Sequence, residues 1–382
     1  MSASPLRVAI IGTGMIGGVH RRAARDAGAD VVGVLGSSAE TSTRTAESWN
    51  VGRGYSSLAE LVDDHPDVVQ ICTPNDSHFA YALAVIAEGI NVVCEKPLAM
   101  TAVQAATLVE AAASAGVVAT VPFVYRYHPL VRELRARRLA GEFGEIALVH
   151  GSYLQDWLLD PDSSSWRVSA AVGGASRAFA DVGSHWCDLA EFISGERFSA
   201  VSAVTSIAYP TRPEPHGPSF GGRLDDGSPR VVVDTEDTAM ATFRTTTGKV
   251  ANTVISQVSA GRKNRLWVEV DGSKGSAVFD QEEPESVWLG SQSGSSILRR
   301  GEGVVSDGQS RLNRVPAGHP QGYADAFSAF LADTYDAVRG GHPEGLPTFV
   351  DGLRAARIID AVLTSAATAT WTTIVPEEES TQ

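Results

Sequence analysis

The stretch Arg7-Val8-Ala9-Ile10-Ile11-Gly12-Thr13-Gly14-Met15-Ile16-Gly17 decides the fold. Residues 7–11 read as a strand, and G-x-G-x-x-G follows at once, opening a helix over residues 15–27. In that setting the first glycine permits a tight turn and the second lets backbone approach a pyrophosphate. The third lets helix pack on strand. The helix N-terminus adds free N–H donors and the positive end of its dipole. Gly12, Thr13, Gly14, Met15, Ile16 and Gly17 are therefore read as a dinucleotide-phosphate loop.

Outward from this loop, short apolar runs alternate with helical stretches. Strands are expected at 31–35, 68–73, 91–94 and 117–121, with helices at 41–49, 77–88 and 102–115. Unbroken Val/Ile runs in a β-α-β-α order are what a parallel sheet buried on both faces requires, so residues 1–123 are expected to form one doubly wound domain. After a helical patch at 130–140 the pattern changes to strands joined by turns, at 146–154, 201–207, 239–243, 250–257, 266–270 and 277–279. Helices are expected at 183–193, 323–338 and 351–364. Residues 124–375 thus read as a second α/β domain with a large open, mostly antiparallel sheet. The proline- and glycine-rich stretch 210–230 reads as a surface insertion, and 376–382 as a frayed tail.

Composition narrows the function classes. The 382 residues are 43% hydrophobic and 20% charged, a globular balance with room for two domains. With 31 Lys plus Arg against 45 Asp plus Glu, the net charge of −14 repels a phosphate backbone and argues against nucleic acid. Three cysteines, Cys72, Cys94 and Cys187, lie in apolar runs without metal or disulfide spacing; no metal site is expected and a reducing compartment is. No apolar run is long enough to cross a bilayer and no secretory h-region opens the chain, so a cytoplasmic protein without membrane partners is expected.

Three further groups carry chemistry. The second strand of such a domain usually ends in an acidic residue that binds the adenosine ribose; here Gly36, Ser37 and Ser38 stand there, with Arg44 about two turns on. Nothing there repels a 2′-phosphate, which favours NADP over NAD; the plain alternative is a turn that tolerates either. Thr73-Pro74-Asn75 with His78, and Glu95-Lys96-Pro97, fall at carboxyl ends of parallel strands, where open α/β sheets bind ligands. Asp181 and His185 are spaced i, i+4, and Asp188 follows at i+3, so one helix face carries all three. An Asp one turn before a His can orient it and hold its charged form; the plain alternative is a capping Asp and a satisfied His.

Together these pieces resemble the Gfo/Idh/MocA oxidoreductase family (glucose–fructose oxidoreductase, inositol dehydrogenase and relatives). The ordered set is G-T-G-M-I-G, T-P-N-D-S-H at 73–78, E-K-P at 95–97, Tyr125-Arg126, Trp166-Arg167, Gly173-Gly174 and D-V-G-S-H-W-C-D at 181–188. The resemblance implies a Rossmann domain and a second α/β domain whose open sheet assembles homodimers or homotetramers. It implies that Lys96 hydrogen-bonds the reacting hydroxyl beside the nicotinamide of NAD or NADP, that Asp181 binds substrate, and that His185 moves the proton. Trp166 and Arg167 are implied beside nicotinamide and substrate. Tyr125, Arg126, Tyr153, Gln155, Asp156, Trp157 and His319 are further candidates for contact with a sugar, inositol or related polyol. Two alternatives stand beside the dehydrogenase: a glycosidase using tightly held NAD for transient oxidation, and a non-catalytic dinucleotide sensor.

Overall fold

The structure, a computed structural model, describes residues 4–214, 227 and 229–376. It divides into two compact units, Met1–Val124 with Tyr323–Leu353, and Tyr125–Gly322 with Arg354–Gln382. The first unit opens with β1 (Arg7–Ile11), α1 (Met15–Asp26), β2 (Asp30–Leu35), α2 (Ala39–Trp49), β3 (Arg53–Tyr55) and α3 (Leu58–Asp63). It continues with β4 (Val68–Ile71), α4 (Asn75–Ala87), β5 (Asn91–Cys94), α5 (Ala102–Ala115) and β6 (Ala119–Thr120). The six strands pair in parallel in the order β3-β2-β1-β4-β5-β6. Val8 to Ile11, Val68 to Ile71 and Val92 to Cys94 are wholly buried, as a sheet covered on both faces demands. Ser38, Ser57 and Thr101 cap α2, α3 and α5 by accepting from the N–H groups of Thr41, Glu60 and Gln104. The strand order reverses between β1 and β4, so their carboxyl ends open the crevice that doubly wound sheets use for ligands.

The second unit contains α6 (Pro129–Leu139), β7 (Ile146–Leu154), α7 (Ala170–Gly173), α8 (Ser184–Ser194), β8 (Phe198–Ser206), β9 (Thr211–Pro213) and β10 (Arg230–Val232). Then come β11 (Thr238–Thr245), β12 (Val250–Ser256), β13 (Arg265–Gly272), β14 (Ser276–Asp280), β15 (Ser286–Ser291), β16 (Gly294–Arg299) and α9 (Asp307–Ser310). The chain closes with α10 (Tyr323–Val338), α11 (Phe349–Thr368) and β17 (Thr372–Thr373). Among the described residues a nine-stranded sheet runs β16-β15-β14-β13-β7-β12-β11-β8-β17, antiparallel throughout except where β12 lies parallel to β7. Alternate residues of β11, Ala239, Ala241 and Phe243, face a core that α8 completes with Trp186, Leu189 and Ile193. The Trp186 indole donates to the Trp267 carbonyl at 3.0 Å, and Gly151 leaves the gap it crosses: a Cβ there would stand 2.6 Å from the indole nitrogen.

Three expectations need correction. Residues 323–353 were assigned to the second domain, but Tyr323–Leu353 belongs to the first unit. There α10 covers α1, with Phe327 edge-on to His20 at 4.7 Å and Ser328 Oγ donating to the Asp26 carboxylate at 3.2 Å. The stretch 210–230 was read as a surface insertion, yet its ends pair as β9 and β10, and Arg212 is wholly buried. Its guanidinium donates to the carbonyls of Leu158, Asp160 and Ser163. The rest of that insertion (215–226 and 228), like residues 377–382 of the expected tail, lies outside the described residues. Finally, the helix bearing Asp181 does not begin at 183: a π-helical turn, Phe179–Gly183, precedes α8.

Candidate functional site

In the first unit, the glycine loop is shaped by backbone crowding. Gly12 has φ +113°, and a Cβ on it would lie 2.5 Å from the Cys72 carbonyl oxygen; one on Gly17 would lie 2.3 Å from the Gly12 carbonyl oxygen. Gly14 differs: a Cβ there would meet nothing within 4 Å among the described residues. Gly14 also stands at the N-cap of α1 without a side chain to occupy the first N–H groups, and the following Met15 is exposed. An open position ahead of free helix donors fits a pyrophosphate.

At the end of β2 the Gly36 N–H donates to Ser42 Oγ, while Ser38 accepts from Thr41 N and donates to its hydroxyl. The Ser38 hydroxyl expected to face a 2′-phosphate is thus already used in capping. Ser37 is exposed, and exposed Arg44 has Glu40 3.6 Å away.

His78, expected at the cofactor, ties two loops together. Its ring nitrogens lie 2.8 Å from the Pro97 carbonyl and 2.9 Å from the Thr73 carbonyl. Burial lowers its pKa despite those bonds. Pro74 caps α4, which opens on buried Asn75, and the Thr73 hydroxyl accepts from Ser77 at 2.6 Å. Glu95, also expected at the cofactor, is buried; it accepts from the Lys96 N–H at 3.1 Å and meets His20 Nε2 at 3.1 Å. Burial raises the Glu95 pKa, but the His20 hydrogen bond and the charges of His20 and Lys96 outweigh it, leaving it below the ordinary range.

In the second unit, Asp181 sits in the π-helical turn. Gln257 Nε2 donates to its Oδ2 at 2.8 Å and Arg167 Nε lies 3.9 Å from its Oδ1, so it orients side chains rather than capping the helix. The Arg167 guanidinium stacks 4.3 Å from the Trp166 ring. His185, the second residue of α8, is nearly buried, its ring 5.1 Å from Tyr125 and 6.4 Å from Tyr153. The two tyrosine hydroxyls lie 2.7 Å apart; Tyr153 donates to Asn264 Oδ1, which also accepts from Gln155, and Trp157 donates to Gln155. Gln281 donates to the Tyr125 hydroxyl at 3.3 Å. Five expected residues (Tyr125, Tyr153, Gln155, Trp157 and His185) thus join one polar and aromatic ring. Asn264, Gln281 and Gln257 complete it and were not expected; isolated amides in turns and strand ends carry no periodic signal.

Other candidates are committed elsewhere. Arg126 grips Asp188 with its fork, Nε donating to Oδ2 at 2.8 Å, and stacks over Phe192. That ion pair engages the guanidinium expected to bind substrate and gives Asp188 a partner outside the Asp181–His185 pair. Asp156 accepts from Lys263 Nζ and the Gly261 N–H, holding a turn. His319 is exposed in a turn and offers its carbonyl to Arg300. On β7 and β13, His150 Nε2 lies 3.6 Å from Glu269 and 3.5 Å from Asp271. No helix among the described residues is long and apolar enough to cross a membrane.

Two family models match the sequence: an oxidoreductase family with an NAD-binding Rossmann fold over residues 6–123, and the GFO/IDH/MocA C-terminal domain over residues 131–278. A levoglucosan dehydrogenase of Pseudarthrobacter phenanthrenivorans is 33% identical over 342 residues, 87% of this chain and 86% of that protein. A 1,5-anhydro-D-fructose reductase of Ensifer adhaerens is 28% identical over 91% of each chain. Among solved structures, levoglucosan dehydrogenase in complex with NADH and L-sorbose superposes with a TM-score of 0.87 at 29% identity, covering 97% of this chain and 99% of that one.

Proposed function

The chain belongs to the Gfo/Idh/MocA oxidoreductase family, and on that premise we propose that it moves a hydride between a nicotinamide and a hydroxyl or carbonyl carbon of a sugar, inositol or related polyol. The observation that carries the sugar reading is the ring of tyrosine hydroxyls and amides around His185, a lining suited to a hydroxyl-rich ligand. When bound through the glycine loop, the dinucleotide supplies the hydride acceptor or donor. In the oxidative direction His185 takes the hydroxyl proton as general base, and the Lys96 ammonium stabilises the developing alkoxide. Asp181, held by Gln257, orients substrate and His185; reduction reverses these roles.

The cofactor proposed is NADP(H) by a modest margin, because Gly36 offers no carboxylate against a 2′-phosphate. The use of Ser38 in capping, and Glu40 beside Arg44, keep that margin under about tenfold. Titration with NADPH and NADH, then levoglucosan, 1,5-anhydro-D-fructose, D-glucose, D-xylose and myo-inositol followed at the nicotinamide absorbance, tests both statements. Turnover of at least one sugar is expected. Cofactor bound with no net redox on any of them moves the assignment to the glycosidase or sensor, and NADH binding more than about tenfold tighter than NADPH overturns the cofactor choice.

We also propose assembly into a homodimer or homotetramer through the outer face of the nine-stranded sheet. Exposed Val204 and Met240 stand there in register with half-buried Val254 and, through Ser152, with Trp267. Light scattering that returns a monomer mass at micromolar concentration overturns it.

A further inference from the structure

His20 falls three residues after Gly17, on the inner face of α1, and its ring is completely buried. Nδ1 lies 2.9 Å from Gln70 Oε1. On the far side of the Gln70 amide, Nε2 donates to the Tyr335 hydroxyl at 2.7 Å. The other His20 nitrogen, Nε2, lies 3.1 Å from Glu95 Oε1. Glu95's other oxygen accepts from the backbone N–H of Lys96. One hydrogen-bonded line therefore runs from α10 through β4 and α1 to the residue that follows β5. Its members Tyr335, Gln70, His20 and Glu95 are all buried.

We propose that His20 and Glu95 act as one positioning pair, fixing the backbone of Lys96 so that its ammonium is presented at the reacting oxygen. The proposal rests on the assignment of Lys96 to the alkoxide. A side chain as long as lysine magnifies any tilt of its own backbone, and displacing a reacting group by about 1 Å typically costs about 10²-fold in rate. Truncating Glu95 releases the Lys96 N–H, and removing the His20 nitrogens leaves Glu95 buried without its partner, so either loss disturbs the same backbone.

Four variants test this: His20→Phe, which keeps the ring's packing on Phe327, Glu95→Ala, Glu95→Gln and the double variant His20→Phe/Glu95→Gln. The first readout needs no substrate: amide hydrogen exchange at Lys96. It is expected to quicken by about tenfold or more in Glu95→Ala and His20→Phe, and by much less in Glu95→Gln, whose amide oxygen still accepts from Lys96 N–H. The second is turnover of the fastest panel sugar. His20→Phe should lose about 10²-fold in kcat with NADPH affinity within about threefold of wild type. The double variant should lose no more than His20→Phe alone, because the two residues act as a unit. Unchanged Lys96 exchange in folded Glu95→Ala, or strictly additive losses in kcat, overturns the proposal. If His20→Phe does not fold, Glu95→Ala against Glu95→Gln decides: equal exchange rates overturn it. Turnover retained in Lys96→Ala defeats the catalytic assignment instead, leaving the exchange result as the judge of the pair.

Discussion

Lys96→Ala and His185→Ala are each expected to lower kcat by about 10²–10⁴-fold while NADPH still binds within about threefold of the wild type. The two losses have different origins. Lys96 begins on a backbone held by Glu95, at the carboxyl end of a buried strand, so its truncation removes a placed charge without opening the core. His185 is packed edge-on against Tyr125, so alanine also leaves a space beside the two tyrosines. His185→Asn fills more of that space and should lose similar activity, which separates lost proton transfer from lost packing. Steady-state rates with melting temperatures measured alongside decide the matter. A folded variant of either residue with kcat within about fivefold of wild type would remove that residue from the mechanism.

Asp237→Ala should cost about 3–5 kcal/mol of stability, the largest effect expected from a single substitution outside the site. Asp237 is wholly buried, and its carboxylate meets two buried guanidiniums, Arg177 and Arg212, the latter at 3.4 Å. It also accepts from the backbone N–H groups of Ala208 and Tyr209. Without it two buried guanidiniums lose the carboxylate they share, and burial already pulls the Arg212 pKa down. Asp237→Asn retains an acceptor and should lose less. Urea unfolding followed by tryptophan fluorescence is a suitable probe, because every tryptophan except Trp49 lies in the second unit. A loss below about 1 kcal/mol would show that the guanidiniums find other acceptors. The Asp237 carbonyl takes the Gln257 N–H, and Gln257 holds Asp181, so activity should fall as well.

What was legible in the sequence follows from how each element is stabilised. Residues 7–11 and 146–154 match β1 and β7 at both ends, and 323–338 matches α10, because patterned or continuous apolar runs fix both length and type. The three-residue β3 and the six-residue α3 were missed, being too short to show a period. So were β15 and β16, the edge strand and its neighbour: most of their side chains are at least partly exposed, so no alternation of apolar and polar residues marks them. The parallel pairing of β7 with β12 is a tertiary outcome that neither strand's composition encodes.

At the site, the glycine loop was legible because backbone crowding at Gly12 and Gly17 forces glycine there. Lys96 was singled out by its place after a strand, and Asp181 with His185 by their spacing, although Asp181 lies in the π-helical turn and not in α8. The internal partners of Glu95, His78 and Arg126 were not legible. Each carries a polar group that the fold engages internally, with Lys96 and His20, with two carbonyls, and with Asp188 respectively. A histidine on the sheet-facing side of α1 was the one available signal for His20.

The return of Tyr323–Leu353 to the first unit bears on how the protein is made. Ser328 and Asp26, hydrogen-bonded across α10 and α1, are 302 residues apart, and Gln70 and Tyr335 are 265 apart. At roughly 5–20 residues per second, a ribosome that has finished α1 needs about 15–60 s more to synthesise the helix that covers it. During that interval the inner glutamine of β4 and the histidine of α1 lack part of their cover, while the intervening sheet is emerging. The nucleotide-binding half of this chain is therefore first to be synthesised and among the last to be finished.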